Sequence, residues 1–175
     1  MMQRPLVGEP LALDLVNTQW VDRGRDHDLF DEPGGVAAWL AEHHLPGPAG
    51  PAETPLRQAR AALRGILERG DERAEEELNA VLARGAVRHV LRQGMPREEV
   101  HAEDGWLPAW RAAGNYLELL RQQPSRIRHC AHPACVLYFY DTSRNGARRW
   151  CSMEGCGSRT KAARHYQRNR TTTPS

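Results

Sequence analysis

All four cysteines of the chain fall within 27 residues, spaced Cys130-x4-Cys135-x15-Cys151-x4-Cys156, with arginines around them. Two short cysteine knuckles joined by a loop long enough to return on itself can set four thiolates tetrahedrally at about 2.3 Å from one Zn²⁺. Cys130, Cys135, Cys151 and Cys156 are therefore the expected metal ligands, and Zn²⁺ the expected cofactor. The competing arrangement, two disulfides, needs an oxidising compartment. The N-terminus runs from Met1 to Pro5 into a short apolar stretch broken by Glu9 and Asp14, which is no signal-peptide core. No run approaches the roughly 18 to 20 apolar residues of a membrane span, so a cytoplasmic chain with no membrane partner is expected. A catalytic thiol usually stands alone with a distant base, and a catalytic zinc keeps an open position. A matched set of four cysteines points to a closed structural site, so neither an enzyme nor catalytic residues are expected. His129, His132 and His165 lie near the thiols, but zinc does not need them.

Charge divides the chain in the same place. Residues 1–120 carry 13 arginines and no lysine against 20 acidic residues, net −7. Residues 121–175 carry 10 arginines and Lys161 against Asp141 and Glu154, net +9. Arginine outnumbers lysine 23 to 1, a composition bias that by itself would not confine the positive excess to one end. An acidic body with a basic tail is the arrangement expected when only the tail meets a polyanion.

The elements that must carry this tail are mostly helical. Leu11–Val16 is short and apolar, either a buried strand or a helical turn, with Asn17 and Thr18 able to cap or turn the chain. Residues 19–32 are polar and Asp-rich and read as a loop. Residues 36–44 follow Pro33-Gly34-Gly35 as a short helix, and the proline-rich stretch 46–51 reads as a connector. Thr54-Pro55 can open an amphipathic helix to Arg69, and Asp71 can cap a second with Ala74, Leu78, Val81 and Leu82 on one face. Alternation at Val87, His89 and Leu91, with a turn at Gln93-Gly94-Met95-Pro96, predicts a modest hairpin between residues 86 and 103. Trp106 to Leu120 returns to helical spacing. The fold class is mainly α with a small β component: a helical domain over residues 1–122, a zinc-binding β-hairpin and helix module over 123–170, and a disordered tail over 171–175.

Within that module, Val136–Tyr140 is rich in β-favouring residues and Asn145-Gly146 is a strong turn signal, so residues 136–140 and 147–150 are expected to pair as a hairpin that brings the knuckles together. After Cys156, a helix to Arg168 is expected, with Ala162, Ala163 and Tyr166 packed inward. The residues expected to meet a nucleic acid are Arg144, Arg148, Arg149, Arg159, Lys161, Arg164 and Arg168. Some of these arginines can instead stack on Trp150 or Tyr138, or brace the knuckles through backbone carbonyls.

The run Cys130-x4-Cys135, Tyr138–Gly146 and Arg148–Gly157 resembles the CGNR zinc finger family. The signature that names that family, Cys-Gly-Asn-Arg, corresponds here to Cys156-Gly157-Ser158-Arg159, with serine in place of asparagine. Leu13-Asp14-Leu15-Val16-Asn17-Thr18 is similar to the opening of the ABATE domain, which precedes this finger in the same family. The resemblance implies a bacterial transcriptional regulator with a mostly helical larger domain and a C-terminal finger on DNA, nucleoid-associated when bound. A sensor role for the larger domain would place a small-molecule effector at Asp14, Asn17, Thr18 and the tryptophans; the alternative there is a capped turn and a packed core. One finger offers few contacts, which a homodimer through the helical body would double. The competing function is a zinc-stabilised module that binds an acidic protein or RNA without reading DNA sequence.

Overall fold

The computed structural model describes residues 4–161. Helix α1 (Leu11–Val16) lies at the centre, with residues 12–16 all buried. It packs on α3 (Ala49–Arg69), α5 (Leu107–Gln122) and, from the C-terminal module, strand β6 (Tyr138–Tyr140). Six residues are too few for a helix to persist alone, and tertiary burial on several sides accounts for this one.

Residues 19–32, expected as a loop, form a hairpin of β1 (Gln19–Asp22) and β2 (Arg25–Asp28), followed by one 3₁₀ turn at Leu29–Asp31. The cause is the pair Arg23-Gly24, both at positive φ (49° and 76°), which forms a two-residue turn matched to strand twist. Trp20 then stacks across the ladder on His27 with centroids 5.3 Å apart, and the indole is buried.

Helix α2 (Gly35–Glu42) matches its expected place, whereas α3 begins at Ala49 instead of near Thr54 and absorbs the last three residues of the expected connector. Pro51 sits in the first turn, where no N–H is needed. Pro55 leaves the Pro51 carbonyl without its helical donor. Gly105, at φ +79°, passes so close to that carbonyl that a Cβ would lie 2.4 Å from its oxygen. Gly70, at φ 62°, ends the helix in the left-handed conformation. Asp71 caps α4 (Glu72–Leu82) by accepting from the Ala74 amide at 2.8 Å. Strands β3 (Gly85–Arg92) and β4 (Met95–Ala102) form the expected second hairpin, closed by Gln93-Gly94 at φ 52° and 74°. Gly85 lies against the Trp110 indole, whose Nε1 donates to the Leu82 carbonyl at 3.1 Å.

The C-terminal module pairs differently from the expectation. β6 is antiparallel to β5 (Ile127–His129), in register Ile127 to Tyr140, Arg128 to Phe139 and His129 to Tyr138. Residues 147–150 form no strand. The first knuckle, Cys130 to Cys135, is therefore the connection of the β5–β6 hairpin. Asn145-Gly146 turns a loop that Asp141 holds shut by accepting from the Ser143 and Arg148 amides at 2.9 and 3.0 Å. Arg126 supports the same loop through the Asp141 and Ser143 carbonyls. The expected helix after Cys156 starts earlier, as a π-helical turn over Met153–Gly157 that leads into helical residues 158–161. Ala162, Ala163, His165, Tyr166 and the expected tail 171–175 lie outside the described residues. The architecture is mainly α with small two-stranded sheets, and among the described residues no helix is long and apolar enough to cross a membrane.

Candidate metal centre and the cationic surface around it

The four sulfurs converge. Cys130 follows the first strand of the β5–β6 hairpin, Cys135 precedes the second, Cys151 follows the loop, and Cys156 lies in the π turn. Their Sγ atoms all lie within 4.8 Å of one another, with Cys135 to Cys151 at 3.8 Å and Cys151 to Cys156 at 3.5 Å. Four ligands at about 2.3 Å from a tetrahedral Zn²⁺ have edges of about 3.8 Å. The donor set fits that ion in number, chemistry and spacing. All four side chains are buried, so the site is closed to substrate. The Cys151 amide points at the Cys130 sulfur at 3.4 Å, and Arg159 donates to the Cys156 sulfur at 3.1 Å. Those donors suit thiolates.

Thiols this close cannot all ionise unaided. Hydrogen bonds from the Cys135 and Cys151 thiols hold Cys130 far below the usual thiol range. Because each donates its proton to that thiolate, and burial adds to the effect, Cys135 is pushed up to about 12 and Cys151 is driven higher still. A divalent cation removes this mutual repulsion, which makes thiolate formation and metal binding one event. The His129 ring lies tilted at 57° against Tyr138 with centroids 4.9 Å apart, and His132 accepts from the Ala134 amide through Nδ1, so both rings are engaged away from the sulfurs.

The expected cationic residues divide into two groups. Arg148 is a brace. It donates to the Trp150 and Cys151 carbonyls at 3.0 and 2.5 Å, reaches Glu9 at 3.3 Å, and lies over the Phe139 ring at 4.2 Å. Arg144, Arg149, Arg159 and Lys161 are exposed, Arg149 stacked on Trp150 at 5.2 Å and Arg159 tied through one nitrogen to Cys156. Arg164 and Arg168 lie outside the described residues.

Asp14, Asn17 and Thr18 are fully buried, and their polar atoms bind protein partners. Asp14 Oδ1 accepts from Arg4 (2.6 Å), Trp39 Nε1 (2.9 Å) and His43 Nε2 (2.9 Å), and Oδ2 from the Gly8 amide. Glu42 and His43 stand beside Asp14 as three potential metal donors, but the Arg4 guanidinium already bridges Asp14 and Glu42. Thr18 donates to the Leu15 carbonyl and accepts from Arg60, which also holds Asp28 with two nitrogens at 2.7 and 2.6 Å. Asn17 works between the two parts of the chain. Its amide oxygen accepts from the Tyr138 N–H at 2.9 Å and its nitrogen donates to the Tyr138 carbonyl at 2.8 Å, as a neighbouring strand would. Glu9 extends this seam by accepting from the Tyr140 amide at 2.9 Å. Burial lifts the Glu9 carboxyl above its ordinary range despite Tyr140 and Arg148. Sequence reading missed this seam: its members lie 121 or more residues apart, and only the shared motif around Asn17 marked the place.

Residues 9–123 match the family model for ABATE, described as "Putative stress-induced transcription regulator", and residues 126–169 match that for the CGNR zinc finger. Neither is a family of enzymes. No curated protein matches the chain.

Proposed function

The chain belongs to the ABATE family and carries a CGNR zinc finger behind that domain, and on this premise we propose that it is a zinc-dependent DNA-binding transcriptional regulator. The finger, over residues 123–170, contacts DNA, and the acidic domain, over 1–122, senses a small molecule or mediates association. One observation carries the reading: a chain that is net −7 over its first 120 residues places net +9 on the segment anchored by the four thiols. Arg144, Arg149, Arg159 and Lys161 are the described candidates for phosphate or base contacts, with Arg164 and Arg168 continuing the series in sequence. Arg148 serves the finger's own packing. A closed four-thiolate site leaves no position for substrate, which favours a binding protein over an enzyme. The cytoplasm, and the nucleoid when bound, is the compartment that suits this role.

Titrating zinc-loaded protein against duplex DNA over a salt series tests the contacts. Each phosphate neutralised contributes about 0.9 to the slope of log affinity against log salt. Arg144→Ala and Lys161→Ala are each expected to weaken binding on all sequences and lower that slope by about 1. Arg148→Ala is expected to lower the melting temperature instead. A slope unchanged in both Arg144→Ala and Lys161→Ala would remove these residues from the interface.

A further inference from the structure

The β3–β4 hairpin presents to solvent a face that no other described element covers. Residues directly opposite in an antiparallel ladder share a face, so Val87 with Val100, His89 with Glu98, and Leu91 with Pro96 stand together. All six are exposed, Leu91 at 75% and the two valines at 42% each. The opposite face is charged and internally paired: Glu99 bridges Arg88, Arg92 and His101. A sheet with one apolar face normally buries it.

We propose that this face is the contact between two copies of the chain, packed sheet on sheet about a two-fold axis that runs along the strands. Charge selects that axis. It lays β3 over the partner's β4, so each His89 meets the partner's Glu98, while the valine pairs and the Leu91–Pro96 pairs meet their counterparts. An axis across the strands would set Glu98 over the partner's Glu98. Within one copy His89 and Glu98 are already neighbours at 3.6 Å, so the dimer closes a four-membered cluster of two imidazoles and two carboxylates flanked by apolar side chains. Eight-residue strands span about 26 Å, and two of them bury roughly 500 Å² per copy, about 1,000 Å² in all. That is the lower end for a specific interface and implies a reversible, concentration-dependent dimer.

Sedimentation velocity on the full zinc-loaded chain without DNA tests this independently of the DNA-binding reading. Self-association with a midpoint in the range of tens of micromolar is expected. Leu91→Glu should raise the midpoint at least tenfold, and Met95→Glu, on the other face, should leave it within about twofold. His89→Glu and Glu98→Lys should each weaken the dimer, and the double variant should recover to within about threefold of the parent. A monomer throughout the concentration range would overturn the proposal and assign the face to some other partner. Equal sensitivity to Leu91→Glu and Met95→Glu, or no recovery in the double variant, would overturn it as well.

Discussion

Cys151→Ser is expected to reduce bound zinc from about one ion per chain to near zero and to melt the segment beyond Gln122, while helices α1 to α5 persist. The finger has little else to hold it. Among its described residues the buried apolar side chains are few, chiefly Leu137, Tyr138 and Phe139, and the two strands are three residues each. In such modules the metal's apparent binding free energy, about 10–16 kcal/mol, is the folding free energy. Removing one ligand also leaves the other thiols in the crowded state that burial and mutual repulsion already disfavour. The same change, or a chelator, should leave most of the helical circular dichroism, since all five α-helices named here precede Gln123. It should nevertheless lower the melting temperature of the remainder, because Asn17, Glu9 and the surface of α1 lose the cover of β6. Elemental analysis and thermal melts of the two forms read both effects. A melting curve indifferent to substitution and chelator alike would show that the four thiols do not hold the finger.

Asp14→Ala is expected to cost about 3 kcal/mol, the lower end of the penalty for breaking a buried ion pair, because Arg4 keeps Glu42 while it loses its buried carboxylate. Arg4 has only 4% of its side chain exposed, and Trp39 Nε1 loses its acceptor at the same time. For a domain stable by about 5–15 kcal/mol, that is a large fraction of the whole. Asp14→Asn, which keeps the shape and removes the charge, should cost less. Acid should reproduce the loss. Burial pushes the Asp14 carboxyl up, but the hydrogen bonds from His43 and Arg4 together hold it below its ordinary value. A depressed folded-state pKa means that the contribution is fully present above the unfolded value near 3.9 and fades as pH falls through the folded one. The difference in urea midpoint between parent and Asp14→Asn should therefore be full at about pH 5 and shrink below about pH 4. Taking the difference cancels the acid loss of zinc that both proteins share. A constant difference down to pH 3 would contradict the role given to this carboxylate.

Features specified by neighbouring residues were legible in the sequence, and those specified across the fold were not. The Asp71 cap and the β3–β4 hairpin depend on a few adjacent residues each. The four cysteines declared their grouping because ligand chemistry leaves few alternatives to a metal. Val136–Tyr140 was recognisable as containing a strand, but apolar density identifies a buried strand and not its partner, so Asn145-Gly146 suggested a hairpin with residues 147–150 where β6 in fact pairs upstream with β5. Residues 19–32 looked like a loop because their charges hide a turn that Arg23-Gly24 and the Trp20–His27 pair specify. Arg148 and Arg144 are alike on paper. One lies under a ring and two carbonyls and the other stands on an exposed loop, a distinction that packing alone makes. Asn17 shows the same limit from the other side: its partner, the Tyr138 backbone, carries no side-chain signature at all.

Zinc-dependent binding to DNA is tested most directly by selecting fragmented genomic DNA with the zinc-loaded protein and sequencing what remains after washes at two salt concentrations. Fragments that share a motif and survive the higher salt are expected, as is their loss when the same protein is treated with chelator. Retention of DNA by neither wash, from protein that still carries its zinc and its folded finger, would contradict it.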